Sequence, residues 1–176
     1  NSVAGKTATE KKLIKNKYVV CLDYCIPLVD LMSADVGINN VTLKSGSTQL
    51  INNASTSGID YYTNFADKVA PAKLTYGGTY DLTVGRNTIS NSVNYKAWVD
   101  WNIDGDFDDA GELLFIETST YNQTKSLDIT VPALSQSFEG KTKLRVAINY
   151  NNESTTACGP VTAGEYEDYT IILAND

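Results

Sequence analysis

Histidine is missing from all 176 residues. That absence removes the usual general base, the commonest zinc ligand and the usual partner of a serine or cysteine nucleophile. Metalloprotease motifs of the H-E-x-x-H kind are excluded, and so are Ser-His-Asp and Cys-His sites. Basic residues are also scarce. Lys and Arg number 14 against 21 Asp and Glu, a net charge of −7. That is the wrong sign for a phosphate backbone, so nucleic acid is not an expected partner. No apolar run reaches the roughly 18 residues that a membrane-crossing helix needs, so membrane insertion is not expected. Cysteine is limited to Cys21, Cys25 and Cys158. None forms a C-x-x-C pair, and without histidine a zinc site would need unusual ligands. A bridge from one end of the domain to the other would close a loop worth about 4–5 kcal/mol in the chain-entropy description. It would also leave one thiol over. Three buried thiols in a reducing compartment are the competing reading. A glycosidase stays formally open, because paired carboxylates need no histidine.

What the chain does contain is a succession of short apolar runs split by turn residues. Residues 1–17, NSVAGKTATEKKLIKNK, are polar and lysine-rich and read as a linker or disordered tail. Residues 18–176 read as one domain, long enough for a sizeable core. Leu144, Val146, Ile148 and Tyr150 alternate with Arg145, Ala147 and Asn149, and Leu127, Ile129 and Val131 alternate with Asp128 and Thr130. This is the period-two pattern of a half-buried strand. A Ser-Gly-Ser turn sits inside 37–53 and a Gly-Gly inside 74–84. About eight strands at this spacing, with no convincing amphipathic helix, predict an all-β fold. The expectation is an antiparallel β-sandwich, Ig-like or jelly-roll-like.

One loop stands apart. Residues 99–112, VDWNIDGDFDDAGE, hold six carboxylates in fourteen positions. Asp100, Asn102 and Asp104 alternate and Gly105 follows, the D-x-[DN]-x-[DN]-G opening of a calcium loop. Ca²⁺ takes 6–8 hard oxygens, and alternate side chains of a tightly curving loop can converge on one centre. An EF-hand would close with Glu at its twelfth position. Here that position is Gly111 and the acid follows at Glu112. The flanks are rich in β-branched and aromatic residues, so the loop joins two strands rather than two helices. The expected cofactor is Ca²⁺ and the expected ligands are Asp100, Asn102, Asp104, Asp106, Asp108 and Glu112. A solvated acidic turn is the bland alternative.

Binding candidates are mostly aromatic. The alternation of Val93, Tyr95, Ala97, Val99 and Trp101 puts Trp101 on the apolar face, while Trp98 lies opposite with Asn94 and Lys96. There Trp98 is either a stacking platform for a sugar ring or a ring packed beneath a neighbouring loop. Tyr61, Tyr62, Tyr121 and Tyr150 fall at or near loops, and tyrosine supplies rigid area plus a hydroxyl. Arg145, with Lys141 and Lys143, is a candidate polar contact. In the closing GEYEDY stretch, Glu165 and Glu167 share one strand face and Asp168 takes the other. They are either further cation ligands or acids retained for packing.

YCIP at 24–27, WVDWNIDGDF at 98–107, LRVAINY at 144–150, CG at 158–159 and GEYEDY at 164–169 follow one another in an order that resembles the GEVED domain family. Tyr166 stands where that family has Val. The resemblance spans roughly residues 20–173. It implies a secreted bacterial β-domain appended to a larger protein, with no activity of its own fixed by membership. It also implies that Cys25 pairs with Cys158, leaving Cys21 as the odd thiol. The resulting expectation is a non-catalytic, calcium-stabilised, secreted accessory module, monomeric within a multidomain protein. Its expected ligand is an extracellular polysaccharide, neutral or acidic, bound through Trp98, Tyr61, Tyr62, Tyr121, Arg145 and Tyr150. A structural or adhesive protein-binding domain is the alternative.

Overall fold

The computed structural model describes residues 22–31, 36–55, 60–87, 89–121, 123–133, 139–150 and 156–175, with backbone alone for 115–120. The tail at 1–17 and the odd thiol Cys21 lie outside these residues.

Eleven strands run in chain order among the described residues: β1 (Val29–Leu31), β2 (Ile38–Ser45), β3 (Thr48–Ala54), β4 (Tyr62–Asn64), β5 (Ala72–Thr75), β6 (Thr79–Arg86), β7 (Val93–Val99), β8 (Leu113–Thr120), β9 (Thr124–Thr130), β10 (Gly140–Tyr150) and β11 (Val161–Ala174). They form two sheets, in the orders β1-β11-β10-β7-β8 and β3-β2-β6-β9. The expected sandwich is present, with three strands more than the alternation suggested. The shortest strands, β1, β4 and β5, of three or four residues each, all join β11 in parallel, and of these only β5 is marked in the sequence by an apolar run, before the Gly-Gly. Pairings this short carry no periodicity to read.

The Gly46 turn links β2 and β3 as an antiparallel hairpin. The Gly-Gly at 77–78 does not make a hairpin. β5 belongs to the first sheet and β6 to the second, so this turn carries the chain across the sandwich. The core lies between the sheets. Val93, Tyr95, Ala97, Val99 and Trp101 meet Leu144, Val146, Ile148, Tyr169 and Ile171 and, from the second sheet, Val41, Leu43, Ile51, Leu82, Val84 and Ile129. Burying each such side chain contributes about 1.5–3 kcal/mol.

The half-buried reading of residues 144–150 needs correction. From Leu144 to Asn149 every residue of β10 is buried, and all of β7 is. The outer face of these strands is covered by a second apolar cluster, in which Trp98, Phe107, Ala147, Val161 and Tyr166 pack with Tyr24, Tyr62 and Cys158. The segment before β1 is held there by Leu28 N–H to Cys158 C=O (3.2 Å) and Val161 N–H to Leu28 C=O (3.0 Å). A disulfide between Cys25 and Cys158, 133 residues apart, fastens it, as the family resemblance implied.

Candidate metal centre

The acidic loop leaves β7 at Val99 and enters β8 at Leu113, and the Val99 N–H to Glu112 C=O bond (2.9 Å) closes its neck. Short polar side chains shape what lies between by accepting from backbone N–H groups ahead of them, the usual Asx-turn chemistry. Asn102 Oδ1 accepts from Asp104 N–H (3.0 Å), Asp104 Oδ1 from Asp106 N–H (3.3 Å) and Asp106 Oδ1 from Asp108 N–H (3.1 Å). Gly105 takes φ +100°, and Ile103, buried, takes φ +57°, a left-handed conformation that β-branched residues rarely adopt. The loop therefore stores backbone strain at Ile103.

Asp100 and Glu112 form the frame. Asp100 is fully buried: Oδ1 accepts from Asp104 N–H (3.1 Å), and Oδ2 from Gly105 N–H (3.0 Å) and the Tyr24 hydroxyl (2.7 Å). The Thr142 hydroxyl donates to the Asp100 C=O (2.6 Å). Glu112 Oε1 accepts from Trp101 N–H (3.1 Å) and Oε2 from Asp109 N–H (3.2 Å). Burial pushes both carboxyls up, Glu112 to about 8, against the lowering effect of those backbone donors. Tyr24 and Thr142 were not foreseen. The only signal was the position of Tyr24 within YCIP.

Asp104, Asp106 and Asp109 make up the convergent set. Each offers a carboxylate oxygen, and the three oxygens lie within 4.8 Å of one another. Asp109, which was not among the expected ligands, belongs to this set and Asp108 does not, and the Asn102 side-chain amide donates to Asp109 Oδ2. Three converging hard oxygens on a turn already curved by its own backbone suit Ca²⁺ better than zinc or copper, which favour nitrogen and sulfur. Asp100 and Glu112 accept from backbone donors, and Asp100 also from Tyr24, and fix the curvature.

The expected ligand-binding residues are not brought together. Arg145 is fully buried: Nε and Nη2 reach Asp168 Oδ1 (2.7 Å) and Oδ2 (2.8 Å), Nη1 reaches Ala157 C=O (2.8 Å) and Nη2 Cys25 C=O (2.9 Å). Phe107 and Tyr62 rings flank the guanidinium, with centroids at 4.9 and 5.5 Å. With Nη1 also reaching Cys25 Sγ (3.3 Å), all five donors face protein, and Arg145 is corrected from a ligand contact to the centre of the outer cluster. Trp98 is corrected likewise: it is 4% exposed and packs in that cluster. Tyr62 is half-buried and donates to Asp168 Oδ2 (2.8 Å), and Tyr150 packs against the main core. Tyr61 and Tyr121 remain exposed, at 39% and 62%. Tyr61 precedes β4 and Tyr121 follows β8, at opposite edges of the first sheet, so they share no groove.

The GEYEDY residues have structural partners. A Cβ on Gly164 would sit 2.8 Å from the Ile148 C=O, so only glycine lets β11 lie this close to β10. Glu165 accepts from Ile38 N–H (2.6 Å) where the β2–β6 register shifts. The Tyr166 hydroxyl donates to Thr156 C=O (3.1 Å). Asp168 also takes Lys143 Nζ (2.8 Å). Burial alone would raise the Asp168 carboxyl, but the Arg145 guanidinium, with Lys143, holds it below the usual carboxylate range.

Beside the acidic loop lies a cleft of about 370 Å³, lined in part by Trp101, Asn102, Asp109, Glu112, Thr130 and Pro132. Among the described residues no helix is long and apolar enough to cross a membrane.

Comparison with known proteins adds three findings. No curated protein sequence matches the chain. Among solved structures, the soluble domain of PmoD from Methylocystis sp. ATCC 49242 (Rockwell) aligns with 76% of this chain and 89% of that one, at 7% identity and a TM-score of 0.35. At that similarity neither fold nor function transfers. The family model of the GEVED domain matches residues 94–172, from β7 through the acidic loop to β11. Over those residues the chain is similar to the GEVED domain.

Proposed function

We propose that the chain is an extracellular, calcium-stabilised accessory module that binds a neutral polysaccharide without cleaving it. The observation that carries the calcium part is the convergence of Asp104, Asp106 and Asp109 oxygens within 4.8 Å on a loop bent by its own Asx turns. Like charges at that separation repel, and a bound dication converts the repulsion into binding free energy. The disulfide supports an oxidising, Ca²⁺-rich setting.

The polysaccharide part rests on the 370 Å³ cleft, which falls in the size range of small-ligand sites and shares Asn102 and Asp109 with the loop. Burial of Trp98 and Arg145 takes away the surface first expected to bind, so the cleft is the better location. The Asp109 carboxylate in its lining and the net charge of −7 favour a neutral glycan over a sulfated or uronic one. Affinity electrophoresis against a panel of neutral polysaccharides, with Ca²⁺ and with EDTA, tests the reading. Retardation that EDTA weakens and that a cleft-filling Thr130→Trp substitution abolishes is the expected result. Release of reducing ends would contradict the non-catalytic reading. Absence of retardation on every polysaccharide, with Ca²⁺ present, would favour an adhesive or spacer module instead.

A further inference from the structure

Glu165 and Glu167 face the space between the sheets, on the same side of β11 as Tyr169 and away from the Arg145 cluster. With Ser55, Asp60, Phe65 and Lys68 they line a second cavity, of about 190 Å³. Glu167 is fully buried. Its Oε2 accepts from the Tyr169 hydroxyl (2.5 Å), and its Oε1 has no donor. The nearby Ser55 hydroxyl has one proton and gives it to Ile38 C=O (3.0 Å). A buried carboxylate oxygen without a donor is costly and calls for a partner. Lys68 is the cation lining the cavity, and its Nζ lies over the Phe65 ring, 5.5 Å from the centroid, while that ring stacks on Tyr169.

These groups define the missing partner by its chemistry. It carries N–H donors for Glu167 and positive charge for a cavity with three carboxylates and one ammonium. A metal ion suits the place poorly. Among the described residues only Asp104, Asp106 and Asp109 bring three acidic oxygens within 4.8 Å, so Asp60, Glu165 and Glu167 do not close on one centre. An alkylammonium fits on each count: three donors, a compact charge and an apolar stem for the Phe65 face.

We propose that this cavity binds a primary ammonium on a short alkyl stem, with Glu167 as its principal acceptor and Lys68 as the internal cation it competes with. That group comes from a lysine side chain of a partner polypeptide or from a free alkylamine. Burial, offset in part by the Tyr169 hydroxyl, pushes the empty Glu167 carboxyl up to about 7. An arriving cation favours its carboxylate form, so binding near neutral pH releases protons. Glu165, Asp60, Lys68 and Tyr169 are the other charged or titratable groups around it.

Calorimetry on the intact chain, with Ca²⁺ present throughout, tests the proposal using n-butylammonium, Nα-acetyl-lysine methylamide and tetramethylammonium. The two primary amines should bind saturably and release protons, measured in two buffers of different ionisation enthalpy. Tetramethylammonium, which has no N–H, should not bind. Glu167→Gln should weaken butylammonium by about tenfold, the loss of one charge-assisted hydrogen bond. Lys68→Gln, on an exposed turn, should strengthen it severalfold, an opposite effect that loss of fold cannot mimic. Tighter binding of the lysine derivative assigns the site to a polypeptide; tighter binding of butylammonium assigns it to a free amine. No amine binding, equal binding of tetramethylammonium, or an unchanged affinity in Lys68→Gln would overturn the proposal. None of these outcomes bears on the acidic loop, which is a separate site.

Discussion

Arg145 and Asp168 stand opposite each other on β10 and β11 and form a two-pronged ion pair with both side chains fully buried. Removing one partner leaves the other charged in a dry site. Asp168→Asn should therefore cost about 3–5 kcal/mol in urea unfolding, whereas replacing the pair together by Met and Leu should recover most of that loss. The pH dependence follows from the depressed Asp168 carboxyl. Its contribution is complete above the unfolded value near 3.9 and is lost as pH falls through the lower folded value, so the wild type should unfold in acid below about pH 4.

Calcium should raise the melting temperature. At a hundredfold excess over its dissociation constant the gain is about 2.7 kcal/mol. Asp104→Ala and Asp109→Ala should remove the difference between Ca²⁺ and EDTA melts. Asp108→Ala should leave it, because Asp108 lies outside the convergent set. Equal melts for the wild type in the two conditions would refute the metal assignment.

In EDTA the loop should also respond to alkali. Burial raises Glu112 from its ordinary 4.5 to about 8. Between those values the folded chain keeps a proton that the unfolded chain has released, so stability should decline as pH rises across that window. Glu112→Gln, which never ionises, should flatten the slope.

The disulfide is checked by peptide mapping without reductant. A Cys25–Cys158 peptide and an alkylated Cys21 are expected. Closing a span of 133 residues is worth about 4–5 kcal/mol in chain entropy, so Cys25→Ser should lower the unfolding midpoint strongly.

Gly164→Ala should destabilise by about 1–3 kcal/mol, the usual range for overpacking, since the new Cβ meets backbone rather than a movable side chain. Calcium affinity should be unchanged, because Gly164 pairs with Asn149, at the end of β10 away from Thr142.

Much of this could be read from the residues, and the parts that could not share a cause. The placement of Trp101 toward the core and Trp98 away from it follows from alternation alone. Alternation does not say whether the second face meets water. Lys143, Arg145 and Asp168 look like a solvated stripe, and the 22–28 segment together with the 156–160 loop covers them instead. That cover comes from over 100 residues away in sequence for the first segment, beyond the reach of any local pattern. The same limit hid Asp109: the D-x-N-x-D-G spacing locates the loop, but not which later acid converges with Asp104 and Asp106.

The parallel joining of β1, β4 and β5 to β11 has a consequence for how the chain is made. These three segments emerge from the ribosome early, yet their common template, Val161–Ala174, is among the last residues described. No local hairpin can hold them meanwhile, and Cys25 has no bridging partner until Cys158 has been synthesised. Such long-range closure is slow, because loop entropy is lost before contacts repay it. Until β11 arrives, β1, β4 and β5 are unpaired edges open to aggregation, although β2, β3 and β6 can already pair with one another. The C-terminal strand thus acts as a late-arriving zipper, and the first sheet of the domain closes only once residues 161–174 have been made.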